Sequence, residues 1–138
     1  MRQAAPQRYL ETQILTASRE QLLLMLYDGA LRFCDQGREA LQAKAFEQAH
    51  EALIRAQRIV IELWCALNPD VSPDLGKSLG GLYSFAYLRL VHANVHHEAA
   101  AIDEAIGVLR TLREAWGEAV ARTAETPQAT ASSLQING

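Results

Sequence analysis

Apolar residues recur at steps of three and four along almost the whole stretch from residue 18 to residue 122, and nowhere does the two-residue alternation of a strand compete. A chain patterned this way must bury helical stripes against other helices, so an all-α fold is set before any motif is considered. Ser18 followed by Gln21 has the form of a capping box and opens a first helix over 18–41. A second, over 45–67, turns Phe46, Ala49, Leu53, Ala56, Val60, Leu63 and Leu67 inward and stops at Asn68-Pro69. Ser72-Pro73 starts a third, with Leu75, Leu79, Leu82, Tyr83, Ala86, Leu90 and Ala93 inward. The fourth begins near Ala99 and buries Ile102, Ala105, Ile106, Leu109, Leu112, Trp116 and Ala119, while Asp103, Arg110, Glu114 and Glu118 face water.

Short connections make successive helices antiparallel, so the expected architecture is one antiparallel four-helix bundle over residues 18–122. Residues 1–17 form an N-terminal extension that can fold over the bundle as a movable cap, and the small, polar stretch 123–138 reads as a disordered tail. A chain of 138 residues is long enough for a real core without staples. Cys34 and Cys65 would lie about 20 Å apart on antiparallel helices, too far for a bridge, and are expected as unpaired thiols. The net charge of -3, with no basic run, gives no foothold for nucleic acid. The absence of a signal-like N-terminus and of a membrane-length apolar window points to a cytoplasmic chain with no direct membrane insertion.

The first three helices carry more large apolar residues than one packing stripe holds. Leu24 and Leu31 lie off the main stripe of the first, Ile54 and Ile61 off that of the second, and Phe85, Leu88 and Val95 off that of the third. Each forgoes roughly 1.5 to 3 kcal/mol if left in water, a sum that rivals the stability of a whole domain, about 5 to 15 kcal/mol. Three covers fit. The residues lie at inter-helix edges or under the N-terminal segment; they form a groove for an apolar partner helix; or they are buried in a homodimer, which would make the chain a structural module. Tyr9, Leu10, Ile14 and Leu15 of the N-terminal segment suit such a groove and would compete with a partner for it.

Catalysis finds no foothold, since the chain has no nucleophile elbow and no phosphate-cradling glycine loop. His92 and His96 have ligand spacing, but no cysteine or carboxylate pair completes a set, so neither metal nor cofactor is expected. The Gly80-Gly81 pair suits a close helix approach or a local bend.

Tyr9, then Thr16-Ala17-Ser18, then Leu24-Met25-Leu26-Tyr27-Asp28-Gly29-Ala30 resemble the opening motif of the flagellar secretion chaperone family, FliS. The stretch from Leu53 to Leu63 is similar to that family's second-helix signature, Leu82-Tyr83 through Leu90, Ala93 and Asn94 to its third, and Ala115-Trp116 to the end of its fourth. Arg19 stands where relatives usually have proline, Leu88 where they often have arginine, and Glu98 where an aspartate is frequent. The resemblance implies a helical bundle that binds the C-terminal segment of flagellin in hydrophobic grooves, prevents premature polymerisation and delivers it to the flagellar type III export gate. It further implies that Tyr9 reaches the cytoplasmic domain of that gate, and that regulators of flagellar expression are further candidate partners. With it, the partner-binding set becomes Tyr9, Ile14, Leu24, Tyr27, Leu31, Ile54, Ile61, Tyr83, Tyr87 and Asn94, the tyrosines at 27, 83 and 87 offering amphipathic surface at the rim. A monomer or weak homodimer completes the expectation.

Overall fold

The computed structural model describes residue 8, residues 18–67 and residues 72–125. Among these, four helices follow in order, α1 (Arg19–Gln42), α2 (Phe46–Cys65), α3 (Pro73–His96) and α4 (Ala99–Glu125). The capping box forms as its spacing demands: the Ser18 hydroxyl accepts from the Gln21 amide, and the Gln21 side chain accepts from the Ser18 amide at 3.1 Å. Ser72 caps α3 through the Leu75 amide, with Pro73 in the first turn. Arg19 does more than occupy a first turn. Its guanidinium donates at 3.0 Å to the carbonyl of Ala66, which closes α2, so a cation sits at the negative end of that helix.

Two turns are made without glycine. After α1 the chain passes through Lys44 at φ 58°, and the Ala45 amide reaches back to the Ala40 carbonyl at 2.8 Å. After α3 it passes through His97 at φ 56°, and the Glu98 amide reaches the Ala93 carbonyl. Both are Schellman closures with an L-residue in the left-handed region, where a glycine would be unstrained.

The helices form a ring in which α1 packs on α2, α2 on α3, α3 on α4, and α4 back on α1. Their shared core is built from Tyr27, Ala30 and Cys34 of α1, Leu53, Ala56 and Val60 of α2, Tyr83, Ala86 and Leu90 of α3, and Ile102, Ala105 and Leu109 of α4. Alanines recur on every seam, which lets the backbones approach closely. Gly37 marks the tightest approach, since a side-chain carbon there would lie 2.8 Å from Leu53, itself fully buried. Arg38–Asp103 and Arg113–Asp28 tie α4 to α1, and Arg89–Glu104 ties it to α3. The polar outer face expected for α4 is present, with Asp103, Arg110, Glu114 and Glu118 all exposed.

Three residues assigned inward are exposed: Phe46, Leu75 and Leu82. Phe46 is the first residue of α2, beyond the reach of the core, and its ring stacks on His97 at 4.1 Å. Leu75 lies in the first turn of α3, at the end of the bundle, and Leu82 sits at the edge facing α4. Both cysteines are free, Cys34 buried and Cys65 exposed, as their expected separation requires.

Gly37→Ala is expected to destabilise the bundle by about 1 to 3 kcal/mol, because the fully buried Leu53 side chain would have to shift to admit the methyl group. Lys44→Gly should stabilise it by about 1 kcal/mol by relieving the left-handed backbone. Urea unfolding of the two variants beside the parent checks both signs.

Candidate functional site

The apolar side chains left over from the core lie on three different flanks of the ring. On a wheel of about 100° per residue, Leu24 and Leu31 fall between Asp28 and Arg38. Those two reach Arg113 and Asp103 of α4, so the leucines belong to the α1–α4 flank. Both are half-buried, and Leu31 packs against the core.

Ile54 and Ile61 share the other flank of α2 with His50 and Trp64. His50 Nδ1 meets the Asn94 amide of α3 at 2.9 Å, and the Trp64 indole lies 3.5 Å from where a side chain would begin at Gly80. Gly80 therefore admits the indole, and α3 runs unbroken through the glycine pair. Ile61 is 42% exposed and Trp64 41%. Ile54, half-buried, lines a shallow groove whose other walls are His50, Glu51, Arg55 and Arg58.

The third flank is the most apolar. Leu82 and Phe85 of α3 face Val108 and Leu112 of α4 across an open groove of about 430 Å³, with Glu104 and Thr111 on its wall. Gly107 contributes to the floor because nothing projects from it. Farther round α3, on the side away from the core, Leu88 is 58% exposed and Val95 67%. A row of apolar side chains half-open to water on two adjoining helices offers a seat for the apolar stripe of a third.

The tyrosines correct the expectation. Tyr27 and Tyr83 are buried at the centre of the bundle, where their hydroxyls meet at 2.6 Å across the diagonal between α1 and α3. The Trp116 side chain lies close to the Tyr27 hydroxyl. Each phenol satisfies the other, so both can be sealed inside, and neither offers a rim to a partner. Burial, reinforced by the Tyr83 hydroxyl, pushes ionisation of Tyr27 far above the ordinary phenol range. Tyr87 is half-buried with its ring against the core, and the Asn94 amide is engaged by His50. Tyr9 and Ile14 lie outside the described residues.

The sequence model of the family described as Flagellar protein FliS matches residues 1–123. The chain belongs to this family. Curated FliS relatives include the Flagellar secretion chaperone FliS of Bacillus subtilis, 35% identical over 81% of this chain and 83% of its own length. That of Campylobacter jejuni is 34% identical over 80% and 86%. A solved structure titled as a flagellar chaperone from bacteria superposes with a TM-score of 0.71 at 28% identity, covering 88% of this chain and 99% of its own. The all-α four-helix fold is therefore that of a FliS-family chaperone.

Sequence reasoning missed Trp64 and Leu82 as surface residues. Trp64 stands three residues beyond Ile61, close enough on the wheel to share its flank, and that spacing is the signal that would have found it. Leu82 gave no such signal. It lies at the edge of the core stripe, and only the distance to α4 decides whether it is covered.

Tyr27→Phe should cost about 1 to 2 kcal/mol, since the buried Tyr83 hydroxyl is left facing a ring. Burial, helped by Asp35, pushes the Cys34 thiol up to about 12. With ordinary values of 9.0 for that thiol and 10.0 for the phenol, the unfolded chain loses these protons first. Stability from both groups is thus full below pH 9 and falls as pH rises towards 12. Urea midpoints at a series of pH values check the trend, and iodoacetamide at neutral pH should label Cys65 and spare Cys34 until the chain unfolds.

Proposed function

We propose that this chain is a cytoplasmic, non-enzymatic export chaperone that holds the C-terminal segment of flagellin and hands it to the flagellar type III export gate. Membership of the FliS family supports the class of activity. The observation that carries the physical argument is the uncovered apolar surface of α2, α3 and α4: Ile61, Trp64, Leu82 and Phe85, with the groove between α3 and α4. Amphipathic helices of a cargo segment laid on these flanks would hide from solvent the same apolar faces that would otherwise pair prematurely. None of the described helices is long and apolar enough to cross a membrane.

Leu24, Leu31, Ile54 and Ile61 remain in the proposed contact set. They belong to two flanks rather than one groove, so a bound segment must bend around the bundle or use one flank at a time. Tyr9 and Ile14 act within the N-terminal segment, which competes with cargo in the free chaperone and carries the contact to the export gate. Regulators of flagellar expression that offer a similar amphipathic helix would compete for the same surface.

Titrating a labelled flagellin C-terminal peptide against the full chain tests the reading. Phe85→Asp and Ile61→Asp should each weaken binding by tenfold or more while the helical signal is unchanged, since both side chains are already open to water. Unchanged affinity in both variants would remove these flanks from the cargo site. Deleting residues 1–17 should tighten peptide binding and abolish capture by the gate domain.

A further inference from the structure

All four histidines of the chain, His50, His92, His96 and His97, lie at the end of the bundle where α2 begins and α3 finishes. Two of them are engaged on the α2 side: His50 Nδ1 meets the Asn94 amide at 2.9 Å, and the His97 ring stacks on Phe46 at 4.1 Å. The other two stand one turn apart on the α4 side of α3, their ring centroids 4.4 Å apart. The turn that follows brings in a carboxylate. Because His97 takes the left-handed conformation, the chain reverses at once, and Glu98 Oε2 comes to lie 2.8 Å from His92 Nε2. Spacing pairs the two imidazoles, but only this reversal supplies the acid that the sequence alone does not offer them.

We propose that His92 and His96 chelate a divalent transition-metal ion of the zinc type, with Glu98 as the third ligand. Imidazoles at positions i and i+4 of a helix stand close enough to share one ion, and zinc takes imidazole nitrogen and carboxylate oxygen together. Zinc bonds of about 2.0 to 2.1 Å meeting at a tetrahedral angle hold two ligand atoms roughly 3.3 Å apart. The 2.8 Å between His92 and Glu98 therefore has to open by only about 0.5 Å to admit an ion where the hydrogen bond now lies. Among the described residues no three such side chains are already gathered around one point. The site is thus an open one: the ion draws in the exposed His96 ring, and water fills the fourth position.

The surroundings admit a cation. Arg89, one turn back on the same line of α3, gives its charge to Glu104 of α4 at 3.3 Å. The His92 and Glu98 side chains are 36% and 54% exposed, so an ion reaches them without parting the core. Magnesium and calcium, which need oxygen ligands nearly throughout, find a single carboxylate here and are not held. An ion shared between the last turn of α3 and the residue before α4 fastens the reversal at His97, so binding stabilises the folded chain. Neither histidine lines an apolar groove, and the inference stands apart from the cargo reading.

Calorimetric titration of Zn2+ into the untagged full chain carrying Cys65→Ser, which removes the exposed thiol as a competing ligand, tests it. The expected result is one ion per chain, with His92→Gln, His96→Gln and Glu98→Gln each weakening binding tenfold or more. His97→Asn, beside the site but turned to Phe46, should leave the affinity unchanged, and Mg2+ in place of Zn2+ should give no binding heat. Free Zn2+ at a hundred times its dissociation constant should raise the folded-to-unfolded ratio in urea about a hundredfold, and this gain should vanish in His92→Gln. Proton–carbon spectra of the imidazoles place the ion directly, moving the signals of His92 and His96 and not those of His50 and His97. Unchanged circular dichroism melts of the metal-free variants will show that they fold. Absence of a one-to-one site overturns the proposal, as does binding indifferent to His92→Gln and His96→Gln, or spectral shifts confined to His50 and His97.

Discussion

A helix in a ring of four has only two packed flanks and a core edge, so roughly half its circumference must face outward, whatever the sequence places there. In α4 that half is charged and makes ion pairs to α1 and α3. In α3 it mixes polar residues with large apolar ones, and the same geometry that gives the bundle a core from Leu79, Tyr83, Ala86, Leu90 and Ala93 leaves Leu82, Phe85, Leu88 and Val95 open. A set of large apolar side chains this open is normally covered. The ring cannot bury this one, and its outward surface is therefore the place where the molecule has to meet something else.

That surface is tolerable because the inside is unusually well specified. Two tyrosines from diagonal helices meet hydroxyl to hydroxyl, with Trp116 beside them, in the buried interior of the bundle. An apolar core alone permits helices to slide by a residue; a buried polar pair with one satisfying arrangement does not, because any shift leaves a hydroxyl unpaired at a cost of about 1 to 3 kcal/mol. The Gly37–Leu53 contact fixes α1 on α2 in a similar steric way. With register set internally, exposed apolar residues have little power to pull the bundle into another packing.

Periodicity made the four helices legible because burial imposes it on every turn, and the caps at Ser18 and Ser72 made their starts legible because the amides there need acceptors. The ends were harder. Lys44 and His97 occupy left-handed positions that a sequence reader assigns to glycine, and their closures depend on backbone bonds that no side chain announces. The site divided in the same manner. The surplus on Ile61, Phe85, Leu88 and Val95 follows from angle alone and is exposed in the fold. Tyr27 and Tyr83 looked like rim residues because a phenol is amphipathic, and nothing in one helix reveals that a second phenol waits 56 positions away to satisfy it. Leu24 and Leu31 shared a wheel direction with no other helix specified, so the α4 flank on which they lie emerged only from the ion pairs on either side of them.

A surface divided among separate flanks suits a chaperone better than one deep pocket would. An extended cargo that orders on binding gives up conformational entropy along its whole length, so each short helix it forms on a flank contributes modestly, and the sum rather than any single contact holds the complex. Release can then begin at one flank while the others still hold, since the effective concentration of a peeled segment falls as its tether lengthens. A single pocket binding with the same total free energy would have to let go in one step, over a barrier containing most of that energy. The open, shallow geometry of the α3–α4 groove and of the Ile61–Trp64 edge is what such stepwise transfer needs, and the rigid tyrosine-pinned interior lets these flanks empty without the bundle itself coming apart.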